Sequence, residues 1–202
     1  TDGRTDFDFI FGRWRVHNRK LRDNTDPACT EWIEFDASAH AEPILGGLGH
    51  IDRIRRDGFE GFTLRQFDPD ARVWRIWWAS SDRPGHLDPP LEGVWRDGTG
   101  VFLGDDVVGG RPVRVRFTWT ADRADAARWQ QEFSYDGGQA WQLNWVMELT
   151  RDPDEDAPGA SVVLYQRPRI DTSGDPELAA YNAYLAELNE RALGQRSAGH
   201  GR

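Results

Sequence analysis

A chain of 202 residues with a formal net charge of −9 and a pI near 5.0 has room for one all-β domain and a tail, and it lacks the basic footprint that nucleic-acid binding needs. No apolar run approaches the length of a membrane span, so neither nucleic acid nor membrane is an expected partner. Ten Trp and ten Phe are many for so polar a chain, and they build a core or line a cavity for a flat ligand.

Asp6–Gly12 is a short apolar lead-in. Phe7, Ile10 and Phe11 fall at helical spacing and suit a plug for the open end of a sheet, and Gly12 ends the turn. Trp14–Leu21 reads as the first strand, with Trp14, Val16 and Asn18 on one face and Arg15, His17 and Arg19 on the other. Asn24–Ala28 is a polar loop. Glu31–Glu42 is the second strand. The turn Pro43–Gly49 leads to His50–Arg55 and Phe59–Phe67, joined at Asp57-Gly58. Val73–Ala79 follows. Ser80–Pro90 is the longest loop of the sheet region, and Leu91–Arg96 and Val101–Asp105 flank the Asp97-Gly98 turn.

The stretch Arg111–Arg151 predicts three long strands. Val113, Val115, Phe117 and Trp119 alternate with polar residues, as do Trp129, Gln131 and Phe133, and then Trp141, Leu143, Trp145, Met147 and Leu149. Period 2 over such lengths is strand patterning. About ten short strands with a turn signal every eight to twelve residues predict an antiparallel up-and-down barrel. Ser134–Trp141 imitates the Asp-box hairpin of sialidases, and a single copy reads as a turn solution.

The domain boundary falls near Arg151. Residues 1–151 form the barrel and residues 152–202 the tail. In the tail, Arg151–Pro158 is an acidic linker and Ser161–Gln166 one more strand. Asp175–Leu193 is the one convincing helix, capped by Asp175 with Pro176 in its first turn. Its stripe of Leu178, Tyr181, Leu185, Leu188 and Ala192 needs a partner. The barrel wall is the favoured partner, and a homodimer is the alternative.

Cys29 is the only cysteine, which excludes an internal disulfide and fits a reducing compartment. No leader peptide is read, so a cytoplasmic location is expected. A single lysine, Lys20, beside 24 arginines marks a GC-rich and hence bacterial genome.

The segments FDFIFGRWRVHNRKL, PILGGLGHID, FEGFTLRQFDPDARVWRIWWA and DGGQAWQLNWVMELTR, in this order and spacing, resemble a group of bacterial proteins with a calycin-like (lipocalin-like) β-barrel and no settled activity. The resemblance runs from Phe7 to Arg151. It implies a barrel with an internal cavity and a small-molecule site in the lumen, in a setting of specialised metabolism. His50 stands where that pattern has asparagine, and the segment from Asp152 on is additional.

Three sets of residues carry candidate chemistry. If the turn Pro43–Gly49 sets residues 40 and 42 opposite 52 and 50, then His40, Glu42, His50 and Asp52 share one face. That face is a solvated hairpin, a Zn or Fe site, or an acid–base pair of His50 and Asp52. The polar rows Arg114, Arg116, Gln130, Glu132, Asn144 and Glu148, joined by His17, Glu34 and Arg65, either coat the barrel or line a polar lumen. Of adjacent Trp77 and Trp78, one is core and the other is placed to stack on a ligand.

The reading is a small-molecule binder for an acidic or aromatic ligand. Glu34, His40, Arg65, Trp78, Arg114, Arg116, Glu132 and Asn144 are the expected ligand contacts, with no cofactor and no metal called for. A cofactor-free isomerase, cyclase or dehydratase is the alternative. It would use His17 or His50, with Asp52, as acid–base groups.

Overall fold

Ten strands form where the alternating runs lie, in a computed structural model that describes residues 3–152 apart from the Asp122 side chain. They are β1 Gly12–Leu21, β2 Trp32–Ile44, β3 Gly49–Arg56, β4 Phe59–Asp68, β5 Val73–Ser80, β6 Leu91–Arg96, β7 Thr99–Val108, β8 Arg111–Arg123, β9 Ala126–Ser134 and β10 Gln142–Arg151. Each pairs antiparallel with the next, and β10 returns to β1 with Trp14 opposite Arg151 and Lys20 opposite Trp145. The sheet therefore closes on itself and leaves no unpaired edge. Two-residue turns at Asp57-Gly58 and Asp97-Gly98 keep successive strands adjacent. In the second turn both Asp97 (φ 50°) and Gly98 (φ 76°) are left-handed, as a primed hairpin turn requires. The expected strand Ser161–Gln166 and helix Asp175–Leu193 lie outside the described residues. Among the described residues no helix is long and apolar enough to cross a membrane, a statement that does not bear on strands.

The aromatic faces point inward. Trp14, Val16 and Asn18 of β1 are buried, while Arg15, His17 and Arg19 between them are exposed. The same alternation puts Trp74 and Ile76, Val113, Val115 and Trp119, and Trp129 and Phe133 inside.

One end of the barrel is plugged by the start of the chain. Asp8–Ile10 forms a single 3-10 turn, as the spacing of Phe7, Ile10 and Phe11 predicts. Phe7 is fully buried. It meets Trp74 and Trp95 edge to face, with ring centroids at 5.2 Å in both cases, and Phe102 at 5.6 Å. Such contacts add to the area term of burial. The plug is also tied by hydrogen bonds. Trp14 Nε1 donates to the Ile10 carbonyl (2.6 Å) and Trp74 Nε1 to the Gly3 carbonyl (2.9 Å). Arg151, at the end of β10, donates to the Phe9 carbonyl (2.6 Å) and to the Phe11 carbonyl, with its guanidinium 4.0 Å over the Trp14 ring. Both ends of the barrel sequence thus meet at the closed end.

The β2–β3 register corrects one expectation. Ala41 lies opposite Asp52 and Pro43 opposite His50, one position away from the predicted alignment. The connection holds four residues, Leu45–Leu48, between paired Ile44 and Gly49. The left-handed backbone at Leu45 (φ 52°), Gly46 (φ 65°) and Gly47 (φ 91°) closes this short connection. A one-residue slip reverses every side chain of a strand. His40 and Glu42 are consequently exposed outside, while His50 and Asp52 are buried inside. The four-residue face, and the metal site that needed it, do not assemble.

Phe7→Ala should lower stability by about 3–5 kcal/mol, the usual range for removing a buried phenylalanine, in urea unfolding followed by tryptophan fluorescence.

Candidate functional site

The inner faces enclose a cavity of about 380 Å³. Its wall is a run of rings. Trp78 lies edge to face with Trp145 (6.3 Å), Trp145 with Trp129 (5.4 Å), and Trp129 with Phe117 (4.9 Å). Two supports hold the run in place. Trp145 Nε1 donates to the buried Asn18 Oδ1 (3.0 Å). Trp78 lies across Gly61, where an added Cβ would stand 2.0 Å from the ring, so only glycine leaves room for it. Met147, Thr63 and Gln131 also border the cavity.

Polar groups stand at both ends of the cavity and at one point along its side. Toward the plug, Arg65 of β4 donates from Nη1 to Asp52 Oδ2 of β3, with both side chains nearly inaccessible. The Arg65 guanidinium is flanked by the rings of Phe7 at 5.1 Å and Trp119 at 5.3 Å. Arg65 borders the main cavity, and Asp52 borders a void of about 40 Å³ beneath it. The two spaces share Thr63, Arg65, Trp78, Trp119 and Met147 as walls, so they adjoin along one shaft-like line. Part way along the shaft, Gln131 donates from Nε2 to Asn144 Oδ1 (2.8 Å). That leaves the Gln131 carbonyl oxygen as an acceptor beside the lumen. At the mouth stand Lys20, Asp82, Arg83 and Asp88. Arg83 is paired with Asp88 (2.9 Å). Burial pushes the Asp88 carboxyl up and the Lys20 amine down from their ordinary values.

His50 occupies the layer behind Arg65. It is fully buried, with Phe11 at 4.7 Å and Trp74 at 4.8 Å between ring centroids, and neither ring nitrogen finds a hydrogen-bond partner among the described residues. Burial first, and then the charge on Arg65, lower its pKa to about 4, so it is neutral at pH 7. His50 is packing inside the closed end and does not border the cavity.

Of the residues predicted from sequence, Arg65 and Trp78 border the cavity and Asp52 the void below it. Asn144 is buried behind Gln131, where the β9–β10 ladder shifts register between Leu143 and Trp145. The other predicted contacts belong to the outer face. His17 is exposed, with Nδ1 2.8 Å from Asp36, and Glu34 bonds Arg19 at 3.2 Å. His40 is exposed. Arg116 pairs with Glu132 (2.7 Å), and Arg114 lies 3.6 Å from Asp105. The polar rows coat the barrel because the opposite rows carry the apolar bulk that closes its core. An acid–base role in the lumen is therefore not open to His17, which projects outward, and His50 is sealed behind the plug.

Lys20, Trp129, Gln131, Trp145 and Met147 border the cavity and were not predicted as contacts. Their signal was present. Each shares the phase of a buried neighbour on its strand, Lys20 that of Trp14, Val16 and Asn18.

No protein-family model matches the chain, and no curated protein matches it. Solved structures do. The S-type phycobiliprotein lyase CPES from Guillardia theta superposes with a TM-score of 0.50 at 12% identity, over 72% of this chain and 90% of that one. Rv2717c from M. tuberculosis gives a TM-score of 0.48 at 11% identity, over 71% and 93%. At such identities the likeness is one of fold. The protein is a closed, calycin-like antiparallel β-barrel.

His50 leads to a pH test. Unfolded, its imidazole titrates near 6.5, and folded near 4. Below pH 6.5 the unfolded chain takes up a proton that the folded chain refuses. Stability is therefore fully present above 6.5 and falls as the pH drops toward 4, by about 3 kcal/mol over the window. Urea titrations at pH 7 and pH 4.5 should show this loss, and His50→Leu should reduce it.

Proposed function

We propose that this protein binds a small, flat, largely apolar organic molecule in the barrel lumen and holds it without chemical turnover. The observation that carries the reading is the cavity of about 380 Å³ walled by Trp78, Trp129, Trp145 and Phe117, within the size range of small-molecule sites, about 300–1,000 Å³. Aromatic walls favour an aromatic or conjugated ligand, which stacks on ring faces and edges. The polar groups select its ends. Asp52 balances the charge of Arg65, so the base of the shaft suits a neutral hydrogen-bonding group. The Gln131 carbonyl accepts a hydrogen bond along the side. An acidic or carbonyl end belongs at the mouth, near Lys20.

The test uses an aromatic anion, 8-anilinonaphthalene-1-sulfonate, with energy transfer from tryptophan as the signal. The wild-type protein should bind one equivalent saturably. Met147→Trp, which fills the lumen, should weaken binding about tenfold or more, a loss of at least about 1.4 kcal/mol. Arg114→Ala, on the outer face, should leave it unchanged. Equal binding by all three proteins would place the probe outside the barrel and remove the reading. A second variant probes the wall. Gly61→Ala drives the Trp78 ring into the lumen, so it should lower both stability, by about 1–3 kcal/mol, and probe affinity.

A further inference from the structure

Lys20 is the only lysine of a chain that uses arginine at its 24 other basic side-chain positions. It lies on the inner phase of β1 at the cavity mouth, with its amine 4.4 Å from the centroid of the Trp145 ring. That ring is fixed by its bond to Asn18 and by Trp129 behind it. Among the described residues Lys20 makes no ion pair, whereas Arg83 at the same mouth is paired with Asp88. If the position required only a positive charge for a carboxylate, arginine would serve it with a better-matched fork. A lone lysine among arginines supplies what a guanidinium cannot, a primary amine able to act as a nucleophile once it has given up its proton.

We propose that Lys20 captures an aldehyde-bearing, flat, apolar ligand in the lumen by forming a reversible imine, an inference that rests on the lumen-binding reading. Burial in the mouth favours the neutral amine. Arg56 acts in the same direction, and Asp82 opposes both. The Lys20 nitrogen attacks the carbonyl carbon, a C–N bond forms, and the carbonyl oxygen takes up a proton. Loss of water from this carbinolamine leaves C=N, so one aldehyde and one amine give one imine and one water, with no oxidant or reductant. The Trp145 face attracts a protonated imine as it does the ammonium. The aromatic wall buries the rest of the ligand, which limits hydrolysis.

Cinnamaldehyde tests this, with sodium cyanoborohydride to reduce the imine to a stable secondary amine, and intact mass and peptide mapping to locate it. Cinnamyl alcohol, which cannot form an imine, is titrated in parallel by tryptophan fluorescence. One adduct at Lys20 is expected in the folded wild-type protein. It should be lost in Lys20→Arg, while that variant still binds the alcohol. Should Lys20→Arg not fold, Lys20→Met takes its place. Alcohol binding with no adduct, an adduct only at the terminal amine, or equal labelling of Lys20 in the urea-unfolded chain would overturn the imine and leave lumen binding standing. Failure to bind either probe would remove both.

Discussion

The buried Arg65–Asp52 pair is the constraint around which the closed end of this barrel is built. Two charges taken out of water are costly unless their geometry is matched and their surroundings supply further attraction. Here the guanidinium donates to the carboxylate and lies between the rings of Phe7 and Trp119. Phe7 reaches that position because the lead-in turns once, and its backbone is tied to Trp14, Trp74 and Arg151. The pair, the plug and the terminal strand thus support one another. Removing one partner of a buried pair strands the other, typically at about 3–5 kcal/mol, so the arrangement is kept or lost as a unit. Its consequence for function is positional, because the plug leaves one mouth to the lumen and gives the shaft a base that is polar yet without net charge.

Above that base the barrel acts as a shaped apolar container. The Trp78–Trp145–Trp129–Phe117 run is rigid for specific reasons, a glycine beneath Trp78 and an asparagine holding Trp145. Rings fixed in advance need little ordering when a ligand arrives, so less binding energy is lost to immobilisation. The chemistry sits at the mouth, where a single amine meets an aromatic face. The overall charge of −9 disfavours the approach of anions at long range. A neutral carbonyl compound meets no such barrier, and an anion must be drawn in by the local charge of the mouth.

The fold was legible in the sequence because period-2 alternation runs through most of the strands, β1, β4 and β9 above all, and short turns force neighbours together. The plug was legible for a related reason, since Phe7, Ile10 and Phe11 have no strand periodicity and fall at helical spacing. The site was less so. Alternation tells which residues share a face, not which face is inside, and the polar rows with Arg114, Arg116 and Glu132 looked as able to line a lumen as the aromatic rows. Core closure decides it, since the rows that carry Trp14, Trp74, Trp119, Trp129, Phe102 and Phe133 hold the bulk that must be buried. The His40–Asp52 set failed for a narrower reason. Turn length sets hairpin register, and the four-residue Leu45–Leu48 connection, even in number where the expected alignment needs an odd one, moved His40 and Glu42 outside. Lys20 was visible as an oddity of composition, but its meaning needed its place over Trp145.

The central claim is that the lumen, not the coated exterior, is where this protein meets its ligand. A crystal structure of the protein soaked with 8-anilinonaphthalene-1-sulfonate tests that most directly. The account predicts ring density inside the barrel, against Trp145 and Trp129, with the sulfonate toward Lys20 at the mouth. Density confined to the outer face, beside Arg114 or Arg116, with the lumen unchanged, would contradict it.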